Sequence, residues 1–218
     1  MPRIVDLSLE IYHGAPTFPW DPKCGVLVHN TIDSIGYNIT QLIMSTHQGT
    51  HLDAPFHFLR DGTTVDRLPL DRLVGPAFLV DLTALGPRTP MRVEDFVPYA
   101  DRIGPGARIA VRTDWDRRFP DPAYFTDMPY VTVELADWLA RRRIAVLALD
   151  IPTPCRDHYP EVHELLLADD GVVIEGLANL SEIAVNPFTL VALPLKLRGR
   201  DGSPIRAVAI EGDLTPGS

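Results

Sequence analysis

Proline occurs 21 times and glycine 15 times in the 218 residues, scattered along the whole chain rather than gathered in one stretch. A proline inside a helix removes a hydrogen bond and clashes with the preceding turn, so this spacing limits the chain to short elements joined by turns. The same chain is 45% hydrophobic, enough for a substantial core, so the scatter reads as a loop-rich fold and not as disorder. The length suits one domain, and neither a repeat nor a linker divides residues 1–218.

Between these breaks the pattern is mostly that of strands. IVDLSLEI (4–11) alternates Val5, Leu7, Leu9 and Ile11, the period of a half-buried strand. Further strands are predicted at 25–32, 37–47, 76–85, 108–115, 145–152, 172–177, 188–197 and 205–212. Three helices are predicted. One covers 89–102, with Thr89 as cap and Pro90 in the first position. The second covers 132–143, with Leu135, Trp138 and Leu139 at helical spacing and three arginines at its end. The third covers 160–171 and is closed by Gly171. Strands throughout, with helices inserted in the second half, predict a single α/β domain around a mixed or antiparallel sheet.

Charge and composition exclude several partners. The net charge of −9 and pI of about 5.1 disfavour nucleic acid and anionic lipid. No apolar run approaches the roughly 18–20 residues of a membrane helix. The opening MPRIVDLSLEIYHGAP lacks a secretion signal's basic start and long apolar stretch, which favours the cytoplasm. Cys24 and Cys155 are too few for a disulfide framework and read as free thiols. No glycine pattern of a nucleotide-binding loop is present.

Chemistry concentrates in THQGTHLDAPFHF (46–58), which holds His47, His51, Asp53 and His57. Imidazole nitrogens and carboxylate oxygens are the usual ligands of zinc and related divalent ions. In a straight strand His47 and His51 would lie roughly 13 Å apart, too far to share an ion. A turn at Gly49–Thr50 would bring them together. His51 and Asp53 share a face in an extended segment, which Pro55 favours at Ala54, and His57 follows at the same parity. A second group lies in VHELLLADDGVVIEGL. From His163 a helix descends roughly 9–10 Å, and from the turn a strand returns roughly 10–13 Å to Glu175, so both could reach one place. His158 is a competing ligand ranked below His163, because Tyr159 and Pro160 place it in an irregular segment. Glu164, Asp169 and Asp170 read as solvated helix-end charges. Cys155 reads as a partly buried thiol.

HQGTHLDAPFH matches H-x-G-T-H-x-D-x-P-x-H at every fixed position. This resembles the signature of the metal-dependent cyclase-like hydrolases, the family that contains bacterial kynurenine formamidases and isatin hydrolases. The likeness extends to VDLS, the Trp20 loop, RTDW (112–115), ALPLKL (192–197) and DGSPIRAVA (201–209). It implies a swivelling β/β/α-type fold and a homodimer or homotetramer. It implies a first metal on His47, His51 and Asp53, and a second bridged by Asp53 and held by His163 and Glu175. Two Zn(2+) ions are expected, with Mn(2+) compatible with the same donors. His57 becomes the general acid/base, and Trp20 packs against an aromatic substrate. Phe18 and Trp20 either wall the site or anchor their own loop. The reaction implied is hydrolysis of an amide-type C–N bond, as in an arylformamidase acting on N-formyl-L-kynurenine. Opening of a cyclic amide such as isatin is the alternative, and a metal-stabilised binding protein without turnover is the third reading.

Overall fold

The structure, a computed structural model, describes residues 2–212; Met1 and residues 213–218 lie outside it. Its strands are β1 (Arg3–Asp6), β2 (Gly25–Asn30), β3 (Ile39–Ile43), β4 (His51–Asp53), β5 (Val74–Asp81), β6 (Pro90–Met91) and β7 (Arg108–Arg112). Then follow β8 (Tyr130–Val131), β9 (Val146–Leu149), β10 (Val172–Glu175), β11 (Phe188–Val191), β12 (Gly202–Pro204) and β13 (Val208–Glu211). The α-helices are short: α1 (Ile32–Ile35), α2 (Leu70–Leu73), α3 (Val93–Phe96), α4 (Val133–Ala140) and α5 (Tyr159–Leu166).

Nine strands form one mixed sheet in the order β1-β13-β11-β5-β7-β9-β10-β4-β12. Its centre, β5 to β10, is parallel. Parallel neighbours need crossovers, and the three intervening segments carry α3, α4 and α5. Both flanks are antiparallel, so five of the eight pairings are antiparallel and the sheet is mostly so, as expected. Alternate residues of the centre enter two cores. Ile109, Val111, Leu147, Leu149 and Val173 meet the helices through Phe96, Leu135, Leu139 and Val162. Ala110, Val146, Ala148, Val172 and Ile174 face a second core with Leu7, Leu52 and Leu190. The sheet curls over this second core. Past β1, Ser8 bridges Leu177, and the Ala178 N–H donates to the Leu7 carbonyl at 2.9 Å.

Several expected elements are shorter or broken. The strand predicted at 4–11 leaves its partner after Asp6, because the curl hands Ser8 to the segment beyond β10. The helix predicted at 89–102 does not start at Thr89: Pro90 pairs with Tyr130 in a small second sheet. Asp95 then caps α3 by accepting the Arg92 N–H at 2.8 Å, and Pro98 falls in a 3-10 segment over Val97–Arg102. The helix predicted at 160–171 ends at Leu166. Gly171 is there for space rather than for a left-handed cap, since a Cβ on it would sit 2.0 Å from the Leu166 carbonyl oxygen. The strand predicted at 188–197 stops at Val191, and β12, not foreseen, covers β4 instead. The strands predicted at 25–32 and 37–47 form a separate hairpin, β2–β3, in which every β3 residue is exposed. Among the described residues no helix is long and apolar enough to cross a membrane.

Candidate metal centre and active site

β4 is wholly buried between β10 and β12. Side chains alternate along a strand, so His51 and Asp53 leave the same face, and Glu175, directly opposite His51, joins them. His47 reaches that face through a turn in which Gly49 has φ +63°, a conformation glycine adopts without strain. The rings of His47 and His51 come within 5.0 Å of each other. Gly202 on β12 leaves room for His47: a Cβ there would lie 2.8 Å from its Cε1. His57 does not arrive by strand parity. Ala54 is extended, but Pro55–His57 is a 3-10 turn, which proline's fixed φ initiates readily. The turn stacks His57 on His47 at 4.0 Å. From the helical side, α5 delivers His163, whose Nε2 lies 3.2 Å from Glu175 Oε1.

The two carboxylates each turn one oxygen to each side of the cluster. Asp53 Oδ1 is 2.7 Å from His47 Nδ1 and 3.5 Å from His51 Nε2, and Glu175 Oε2 is 3.3 Å from His51 Nε2. Asp53 Oδ2 and Glu175 Oε1 lie 3.6 Å and 3.2 Å from His163 Nε2. The far nitrogens of the rings are held. His51 Nδ1 donates to the Gly49 carbonyl at 2.9 Å and His163 Nδ1 to the Tyr159 carbonyl at 2.6 Å. A carbonyl only accepts, so both Nδ1 atoms carry hydrogen and both Nε2 atoms face the carboxylates. His47 Nε2 meets Asp201 Oδ2 at 2.6 Å, and Thr46 Oγ1 donates to the same oxygen at 2.8 Å.

This arrangement is short of cations. Among the described residues His51 Nε2 and Asp53 Oδ2 are buried without a hydrogen-bond partner, and Asp53 Oδ1 has only its 2.7 Å contact with His47 Nδ1. A buried carboxylate left in that state is costly, and a divalent cation relieves it. His51, Asp53 and Glu175 form one set with ligand atoms close enough to share an ion, and His47, Asp53 and His57 form another. The donors therefore fit a divalent metal, and His57 stands near enough to be a ligand as well as a proton carrier. Electrostatics agree. Burial opposes charge on His47, but Asp53 and Asp201 outweigh it and raise its pKa to about 10, so the surrounding carboxylates favour positive charge at this place. The hydrogen bond from His47 holds Asp201 well below the usual carboxylate range. Burial lowers the pKa of His57, leaving a neutral imidazole at neutral pH.

Beside the cluster lies a narrow, tight cleft with a cavity volume of about 20 Å3, partly open to solvent. Phe18, Phe119, Tyr124 and Phe125 line it together with His47 and His51. Phe18 packs edge-on against Phe125, 6.3 Å between ring centres. Trp20 is outside this cleft and 92% exposed, because the Asp21 N–H bonds back to the Phe18 carbonyl and the turn carries the indole outward. His158 and Tyr159 are exposed, and Cys155 is buried away from the cluster's ligand sets. Asp201 and residues 119–125 were not among the residues the sequence singled out. Asp201 falls within DGSPIRAVA, but nothing local ties it to a histidine 154 residues away.

A curled mixed sheet presenting a buried His/Asp/Glu cluster beside an aromatic cleft is the construction of a metal-dependent hydrolase. Residues 5–154 match the family model described as putative cyclase, and the chain belongs to that family. It is 30% identical over 210 residues to a kynurenine formamidase of Bacillus cytotoxicus, covering 94% of this chain and 95% of that one. A kynurenine formamidase of Erythrobacter litoralis is 29% identical over 212 residues, covering 96% and 94%. Among solved structures, isatin hydrolase A from Labrenzia aggregata, bound to benzyl benzoate, superposes with a TM-score of 0.87 at 26% identity, covering 97% of this chain and 94% of that one. A structure described as a potential metal-dependent hydrolase with cyclase activity gives 0.82 at 27% identity, covering 98% and 100%.

Proposed function

We propose that this chain hydrolyses an amide-type C–N bond of an aromatic substrate and that its reaction is that of an arylformamidase: N-formyl-L-kynurenine and water give kynurenine and formate. The observation that carries this reading is the unpartnered His51 Nε2 and Asp53 Oδ2 beside a neutral His57 and an aromatic cleft. The similarity to kynurenine formamidases over nearly the whole chain supports the substrate. Two Zn(2+) ions, or Mn(2+), would be held by His47, His51 and Asp53 on one side and by Asp53, His163 and Glu175 on the other. When bound, the metal supplies Lewis acidity that polarises the carbonyl and makes water a stronger acid. The phenylalanines of the cleft hold the aryl ring and keep water from its faces. His57, neutral at working pH, takes a proton from the attacking water and returns it to the departing aniline nitrogen. The water oxygen remains on the formyl carbon, the C–N bond breaks, and formic acid ionises to formate.

Opening of isatin is the second reading, favoured by the close superposition on isatin hydrolase A. In either case the enzyme would work in the cytoplasm as a homodimer or homotetramer, and the uncovered apolar hairpin β2–β3 supports assembly. Elemental analysis followed by parallel assays on N-formylkynurenine and isatin decides between substrates. His57→Ala is expected to abolish hydrolysis with metal content near wild type. Loss of metal instead would make His57 a ligand. An active His57→Ala enzyme would remove it from the chemistry, and a metal-loaded wild type inert on both amides would leave the binding-protein reading.

A further inference from the structure

Tyr124 differs from Phe18, Phe119 and Phe125, its fellow walls of the cleft, by one oxygen. That hydroxyl is buried and has no hydrogen-bond partner among the described residues, and the whole residue is 1% exposed. Leaving a buried hydroxyl unpaired destabilises a protein, whereas phenylalanine would fill the same space without that cost. Packing therefore does not account for the oxygen.

The ring is also fixed. Tyr124 sits in the 3-10 turn Pro122–Phe125, which Asp121 caps by accepting the Ala123 N–H at 2.8 Å. Trp115 Nε1 donates to the Tyr124 carbonyl at 2.9 Å. Phe119 and Phe125 pack edge-on against the ring at 5.5 and 4.9 Å. A donor so held is pre-organised for whatever enters the cleft it shares with His47 and His51. Burial pushes the phenol pKa well above its ordinary value, so the group stays a neutral donor. A neutral phenol donates, so the group it recognises is an acceptor such as a carbonyl.

We propose that the Tyr124 hydroxyl is a specificity determinant: it donates to a second carbonyl on the substrate's aromatic ring, ortho to the amide being cleaved. The site thus selects ortho-acyl anilides over plain ones. This rests on the amide-hydrolase reading above and assigns a residue to the ketone that N-formylkynurenine carries ortho to its formamide. A site built to hydrogen-bond a substrate group discriminates strongly against the analogue that lacks it.

The experiment compares wild type and Tyr124→Phe, both metal-loaded, on 2′-formamidoacetophenone and on formanilide. The ratio between enzymes cancels the intrinsic reactivity of each amide. Tyr124→Phe is expected to lower kcat/KM for the ketone about tenfold more than for formanilide, chiefly through KM. Its melting temperature is expected to equal or exceed that of wild type, since an unpaired hydroxyl has been removed. Equal losses on both amides, or none on either, overturn the proposal. A variant melting several degrees lower also overturns it, because the hydroxyl would then be satisfied within the folded protein. If wild type cleaves both amides and the ratio is unchanged, only Tyr124's role fails. If wild type cleaves neither, the amide-hydrolase reading fails and this inference with it.

Discussion

Asp201 shows how a single residue beyond the candidate ligands shapes the cluster. Its hydrogen bond to His47 Nε2 orients the ring so that Nδ1 faces Asp53. Carboxylates in this position typically strengthen metal binding 10–100-fold. Asp201→Ala is therefore expected to weaken metal affinity by roughly that factor, with Asp201→Asn intermediate, in competition against a chelator; unchanged affinity would refute the orienting role. Asp150 makes a different prediction. It is buried, accepts the Thr113 N–H and hydroxyl at 2.7 and 2.6 Å, and burial raises its pKa to about 7 from an ordinary 3.8. The folded state then keeps this proton longer than the unfolded chain. Its contribution to stability is complete below about pH 4, declines as pH rises towards 7, and is constant above. Asp150→Asn, which can accept the same N–H and donate to the Thr113 hydroxyl, should melt higher than wild type at pH 8 and equally at pH 4. The opposite order in thermal melts would contradict this account.

At the scale of elements, the Pro-rich loop between β1 and β2 separates two aromatic residues only two positions apart. Phe18 closes the cleft against Phe125, while Trp20 points to solvent. Phe18→Ala should raise KM several-fold for an aryl amide, and Trp20→Ala should leave KM within about twofold. Steady-state kinetics with the two variants reversed in rank would place the indole over the substrate instead. The same scale shows what was legible locally. The turn at Gly49 and the return path from His163 to Glu175 involve contacts within twelve residues, where spacing alone limits geometry. The route of His57 was misjudged, because Pro55 can open a 3-10 turn as well as hold a strand, and side-chain parity does not distinguish them.

For the whole molecule, the hairpin β2–β3 stands apart from the nine-stranded sheet with Val28 74% and Leu42 56% exposed, alongside Ile32, Ile35, Tyr37 and Ile43. A two-stranded ribbon is marginal by itself, and exposed apolar residues in this number are what the proposed assembly would cover. Light scattering should give at least twice the chain mass of 24.2 kDa, and Val28→Glu with Leu42→Glu should shift the protein to monomer while the melt of the main domain persists. A monomeric wild type at micromolar concentration would reverse that expectation. What the amino-acid sequence determined by itself is the gathering of His47, His51, Asp53, His57, His163 and Glu175, since they lie in two short segments whose backbone rules are local. The α/β class follows from the same local patterns of alternation and breaks. Strand order was decided by the tertiary structure alone. It set β12 against β4 and so carried Asp201 to His47, brought residues 119–125 across to face Phe18, and left the hairpin uncovered. These contacts join segments about 100 residues or more apart, or depend on which strand finds a place in the sheet. Their formation is governed by how two cores pack around a curled sheet, a property that no window of neighbouring residues contains.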